Sequence, residues 1–168
     1  MATNVSRRGF LRTAVVASGL FAGGALIAAC GGGPEPTPTP AASGAPVTLE
    51  IASKGDALEY DKTSLEAPAG SKVTLNLKNN ASPGSGVYHN WVLVRPGTAD
   101  AVAADGIGAG EANDYLKPND NRVIAHTKMA KEGETVSVTF DAPPPGTYDF
   151  VCTFPGHATL MRGKFIVK

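Results

Sequence analysis

Apolar and polar residues alternate with a period of two in several short stretches between Val47 and Lys168. Val73, Leu75 and Leu77 alternate with Lys72, Thr74, Asn76 and Lys78, and Val136, Val138 and Phe140 repeat the pattern. Successive side chains of a strand point to opposite faces, so this spacing predicts half-buried β-strands. Val47 to Ile51, Tyr88 to Val94, Thr147 to Cys152 and Gly163 to Val167 are further strand candidates, with Pro-Gly or Asn-rich breaks between several of them. Together they predict an all-β sandwich. Thr98 to Lys117 departs from the pattern: it is rich in Ala and Gly and poor in β-branched residues, which predicts a short helix or an irregular flap. No internal repeat is present, which sets aside solenoids and propellers.

The start of the chain is organised differently. A basic stretch, Ser6-Arg7-Arg8-Gly9-Phe10-Leu11, precedes an apolar run of small residues from Ala14 to Ala29, the layout of an export signal. The arginine pair before Phe10-Leu11 resembles a twin-arginine signal, used for proteins exported already folded; a general secretory signal is the alternative. Leu26-Ile27-Ala28-Ala29-Cys30 followed by three glycines resembles a bacterial lipobox, in which the Cys30 thiol would be acylated and become the new N-terminus. Ala14 to Ala29 is short for a bilayer core that needs about 20 apolar residues, which favours the lipid anchor over a transmembrane helix. Residues 31–46, with Pro34-Glu35-Pro36-Thr37-Pro38-Thr39-Pro40, have the composition of an extended tether. The expected organisation is a signal over 1–30 ending at Cys30, a tether over 31–46 and one domain over 47–168.

Composition narrows the function. At 168 residues with 42% hydrophobic and 18% charged positions, the chain suits one globular domain. Three of its 15 basic residues, Arg7, Arg8 and Arg12, lie in the first thirty positions, which hold no acid; the rest carries 12 basic and 15 acidic residues. A near-neutral, slightly acidic domain is a poor partner for nucleic acid. The two cysteines, Cys30 and Cys152, lie in such different contexts that a shared disulfide is not the first reading.

The chemistry concentrates near the C-terminus, in Cys152-Thr153-Phe154-Pro155-Gly156-His157-Ala158-Thr159-Leu160-Met161. A thiol, an imidazole and a thioether fall within ten residues, around a Pro-Gly pair that permits a tight loop. His89, on a predicted strand, offers a fourth donor. Two histidines and a cysteine in a trigonal array, with a weak axial methionine, form a blue-copper ligand set. Zinc also accepts Cys and His, but the methionine argues for copper. A lone Cys or Met is more often core filling; the spacing overturns that for Cys152 and Met161. His126 and Met129 fit no ligand loop and are left as ordinary residues, and Trp91, Tyr148 and Phe150 are read as core aromatics.

This loop and the upstream Tyr88-His89-Asn90-Trp91 resemble the ligand segments of azurins and auracyanins in the cupredoxin family, over roughly Val47 to Lys168. The resemblance implies a cupredoxin-like Greek-key β-sandwich holding one type 1 copper. His89 and His157 would bind through ring nitrogens, Cys152 through sulfur and Met161 axially. Asn90 would tie the two ligand segments together, and the Phe154 N–H would donate to the cysteine sulfur. Where azurins have glycine at the position whose carbonyl approaches from the opposite axial side, this chain has Tyr88, a departure from the pattern. The azurin disulfide is absent, as in auracyanin-like members. The implied role is that of a lipid-anchored, non-enzymatic one-electron carrier at the outer face of the membrane, periplasmic or otherwise extracytoplasmic. Its redox partners would dock transiently on an apolar rim of Pro155, Ala158 and Leu160 around His157. An oxidase or nitrite reductase would need a further copper centre, and of three histidines only His126 is spare. A copper chaperone would expose an open cluster rather than a caged one.

Overall fold

A computed structural model describes residues 44–168. The export signal, Cys30 and the tether up to residue 43 lie outside the described residues. Among the described residues eight strands form two sheets, one ordered β1-β3-β6 and the other β2-β8-β7-β4-β5. In the first, β1 (Val47–Ala52) runs parallel to β3 (Lys72–Lys78), which pairs antiparallel with β6 (Thr135–Asp141). In the second, β2 (Ser64–Ala67) runs parallel to β8 (Arg162–Val167), and β7 (Gly146–Val151), β4 (Val92–Val94) and β5 (Val123–His126) follow antiparallel.

The period-two pattern of β3 has its physical meaning here. Val73, Leu75 and Leu77 are fully buried, and Thr74 and Asn76 face outward, where they bond to Thr139 and Ser137 of β6. The two sheets close over a core that includes Ile51, Leu65, Leu75, Trp91, Leu93, Phe150 and Phe165. Trp91 is its aromatic centre, with Phe140, Phe150 and Phe165 within 6.2 Å.

The 98–117 excursion contains α1 (Ala99–Ala109) and a 3-10 turn at Glu111–Asn113. Val102, Leu116, Val92, Val94 and Val151 form a second small core beneath it. Among the described residues, no helix is long and apolar enough to cross a membrane.

The stretch expected as a strand from Tyr88 to Val94 is regular only from Val92 to Val94. Before it, backbone groups are engaged individually. His89 exchanges two hydrogen bonds with Ala130 (3.2 and 2.7 Å), and Trp91 pairs with Thr127 through the threonine side chain and backbone (both 3.0 Å). These bonds leave Asn90 free to serve the site.

Candidate metal centre

Strand β7 ends at Val151, and the chain turns at once into the loop carrying Cys152 and His157 before β8 returns. The loop is closed by its own backbone. Cys152 N–H donates to the Met161 carbonyl (2.9 Å), His157 N–H to the Phe154 carbonyl (3.0 Å), and Met161 N–H to the His157 carbonyl (2.9 Å). Gly156 sits at φ +84° with nothing near the place a Cβ would occupy, so the turn asks for glycine on backbone grounds alone.

His89 and Cys152 lie in neighbouring segments because β4 pairs with β7, setting Val92 opposite Val151. The Nδ1 atoms of His157 and His89 lie 3.6 and 3.9 Å from Cys152 Sγ. The ligand-capable atoms of these three buried residues all fall within 4.8 Å of one another. A metal bound trigonally, with bonds of about 2.0 Å to nitrogen and 2.3 Å to sulfur, would set nitrogen and sulfur about 3.7 Å apart. The cluster therefore has the dimensions of a metal cage. Met161 is fully buried in the same core cluster as Cys152.

Burial governs the protonation of this cluster. It lowers His89 to about 4, with the neighbouring His157 adding to the effect, and it also lowers His157. Both imidazoles are neutral at neutral pH, with lone pairs available for a metal. Burial raises the Cys152 thiol to about 11, opposed by hydrogen bonds from the backbone N–H groups of Asn90 and Phe154. Phe154 and Asn90 are thus the two backbone donors to the sulfur. A cation is what would make the thiolate favourable in so dry a place.

The Asn90 side chain links the two segments. Its Oδ1 accepts from Thr153 N–H (2.9 Å), and its Nδ2 donates to Thr153 Oγ1 (2.8 Å) and to the Asp114 carbonyl (2.9 Å). Its own carbonyl accepts from the buried Tyr60 hydroxyl at 2.5 Å. Tyr60 and Asp114 were not singled out from the sequence: one acts from a distant segment, the other through its main chain. Tyr88 packs its ring edge-on against Phe154, with centroids 6.2 Å apart. His126 is exposed on β5 and stands outside the cluster.

The comparisons with known proteins agree with this geometry. Residues 47–168 match the family described as copper binding proteins, plastocyanin/azurin family. The chain belongs to that family. It is 46% identical to auracyanin-A of Chloroflexus aurantiacus over 147 residues, 85% of this chain and 89% of that protein. An azurin of Bordetella pertussis is 44% identical over 113 residues, 64% of this chain and 75% of the azurin. Among solved structures, auracyanin A, described as a "blue" copper protein from a green thermophilic photosynthetic bacterium, superposes with TM-score 0.68 at 47% identity. That match covers 73% of this chain and 99% of the other. Dithionite-reduced auracyanin of Roseiflexus castenholzii gives the same TM-score at 40% identity, covering 74% of this chain and 99% of its own. Plastocyanin/azurin proteins are electron carriers that bind one type 1 copper, and His89, Cys152 and His157 form the candidate site for it in this chain.

Proposed function

We propose that this plastocyanin/azurin-family protein is a membrane-anchored electron carrier that shuttles single electrons between redox complexes at the outer face of the cytoplasmic membrane. The observation that carries the reading is the convergence of His89 Nδ1, His157 Nδ1 and Cys152 Sγ in a buried, preshaped cluster. These three, together with Met161, would hold the copper. The copper would supply a Cu(I)/Cu(II) couple. The chain's own part is to hold thiolate, imidazoles and thioether in one arrangement for both oxidation states, so that little reorganises on transfer. The N–H groups of Asn90 and Phe154 withdraw electron density from the sulfur and favour the reduced ion.

Export and anchoring rest on the sequence signals, with Cys30 as the acylated residue and residues 31–46 as the spacer. Partner docking is assigned to the rim around His157. His157 as a residue is 5% exposed, and Leu160, 65% exposed, stands on the same loop. An exposed apolar side chain beside a metal ligand suits a transient redox partner, which must approach closely and leave quickly. A charge at Leu160 should slow electron exchange with the partner while leaving the copper spectrum unchanged. Unchanged rates would remove the docking assignment.

The deciding experiment is to add Cu(II) to the purified chain and record its visible absorption beside a Cys152→Ser variant. An intense thiolate-to-copper band, bleached reversibly by reductant and missing from the variant, is expected. A folded, colourless protein that ignores copper would refute the reading.

A further inference from the structure

The flap that interrupts the strands ends against the ligand segments, and it does so through unusual backbone. After the 3-10 turn the chain takes two consecutive left-handed residues, Asp114 at φ 53° and Tyr115 at φ 51°. Residues other than glycine avoid this region, and Asp and Asn are the common exceptions. The turn is held on several sides. Asp114 Oδ1 accepts the Met129 N–H at 2.8 Å, tying the flap to the segment after β5. The Tyr115 carbonyl packs where a Cβ on Gly106 would collide with it, so glycine in α1 permits the approach. The Tyr115 ring meets Phe154 edge-on, with centroids 5.3 Å apart.

This arrangement aims one carbonyl at the metal centre. The Asp114 carbonyl accepts from Asn90 Nδ2 at 2.9 Å, and Thr153 Oγ1 lies 3.5 Å away. The Asn90 amide has two N–H donors, and its two acceptors are Thr153 Oγ1 and this carbonyl. Without the second, the amide is anchored on Thr153 alone, a residue of the very loop that Asn90 has to hold. Asp114 gives it a foothold outside that loop.

We propose that Asp114 is a positioning residue for the metal centre: its left-handed turn and its bond to Met129 fix the carbonyl that locks Asn90. Through Asn90 it fixes the Cys152 to Phe154 segment, whose Phe154 N–H donates to the sulfur. It touches no ligand atom itself. The copper assignment enters only one of the two readouts below, so failure of that assignment and failure of this proposal are distinguishable.

The test compares three variants of the full chain. Asp114→Asn keeps both an acceptor for Met129 and a tolerance of left-handed backbone. Asp114→Gly keeps the backbone and deletes the acceptor. Asp114→Val deletes the acceptor and disfavours the backbone. In the metal-free chain, amide hydrogen exchange at Thr153 should rise about tenfold in the Val variant and by less in the Gly variant. The core strand amides of Leu75 and Val92 should keep their rates, whereas general destabilisation would raise all of them together. In the copper-loaded chain the reduction potential should fall in the same order, because a sulfur with looser N–H partners donates more strongly to Cu(II). The Asn variant should match the parent in both. Unchanged Thr153 exchange in the Gly and Val variants would overturn the proposal, as would an Asn variant as perturbed as Val. If the Val variant does not fold, Gly against Asn decides. If no variant takes up copper, the exchange comparison decides alone.

Discussion

Asn90 and Thr153 are joined twice, by Thr153 N–H to Asn90 Oδ1 at 2.9 Å and by Asn90 Nδ2 to Thr153 Oγ1 at 2.8 Å, and both residues are buried. The pair bridges the segment carrying His89 and the loop carrying Cys152 and His157. Asn90→Ala would leave Thr153 N–H and the Asp114 carbonyl without this partner in a region closed to water. The expected loss is about 2–4 kcal/mol of unfolding free energy, read by urea titration, since each stranded buried group costs about 1–3 kcal/mol. The copper-loaded variant should also show a lower reduction potential than the parent. Parental values in both measurements would mean that the bridge is dispensable.

Tyr60 supports the same residue from the opposite side, its hydroxyl donating to the Asn90 carbonyl at 2.5 Å within the core. Its ring packs edge-on against Phe150, with centroids 5.6 Å apart. Tyr60→Phe preserves the ring contact and removes only the donor. A loss of about 1–2 kcal/mol is expected in equilibrium unfolding, the cost of stranding one buried carbonyl. No measurable loss would show that the carbonyl finds another donor.

The segment leading into β5 has its own acid dependence. Arg122 hydrogen-bonds Asp120 through Nε at 2.8 Å and also reaches Asp105 at 2.5 Å. The guanidinium holds the Asp120 carboxyl at about 2, below its ordinary 3.8. The folded state therefore binds fewer protons than the unfolded state between these values, so this contribution is present above about pH 4 and is lost as pH falls toward 2. Asp120→Asn should flatten the fall of stability with acid over that window in chemical denaturation at fixed pH values. An equally steep profile would place the acid sensitivity elsewhere.

Much of this architecture is legible in the sequence, for reasons that differ by element. β3 and β6 are long, and one face of each packs toward the core, so alternation marks them clearly. β2 (Ser64–Ala67) and β5 (Val123–His126) carry no comparable signal. Each is four residues long, and β2 owes its place to a parallel ladder with β8, a hundred positions away in the chain. The cluster of His89, Cys152 and His157 is readable because metal chemistry restricts residue type and loop spacing. Support from Tyr60 and Asp114 is not, because a hydroxyl and a main-chain carbonyl that act across the fold leave no pattern along it.

The buried cluster also makes folding and metal uptake one linked equilibrium. The unfolded chain does not hold Cys152, His89 and His157 together in one arrangement, so a metal that prefers the assembled set stabilises the native state. At free copper a thousandfold above the dissociation constant the gain is about 4 kcal/mol, less whatever affinity the unfolded chain retains. Calorimetry should therefore show a clear rise in melting temperature on adding Cu(II) to the metal-free chain. Cys152→Ser should abolish most of that rise, since it removes the thiolate on which both imidazoles converge. Met161→Leu, which nearly conserves volume, should retain most of it, because the thioether proposed as a further ligand would contribute little binding free energy beside the thiolate and the two imidazoles. An equal rise in the parent and in Cys152→Ser would locate the copper on surface groups instead of in the cluster.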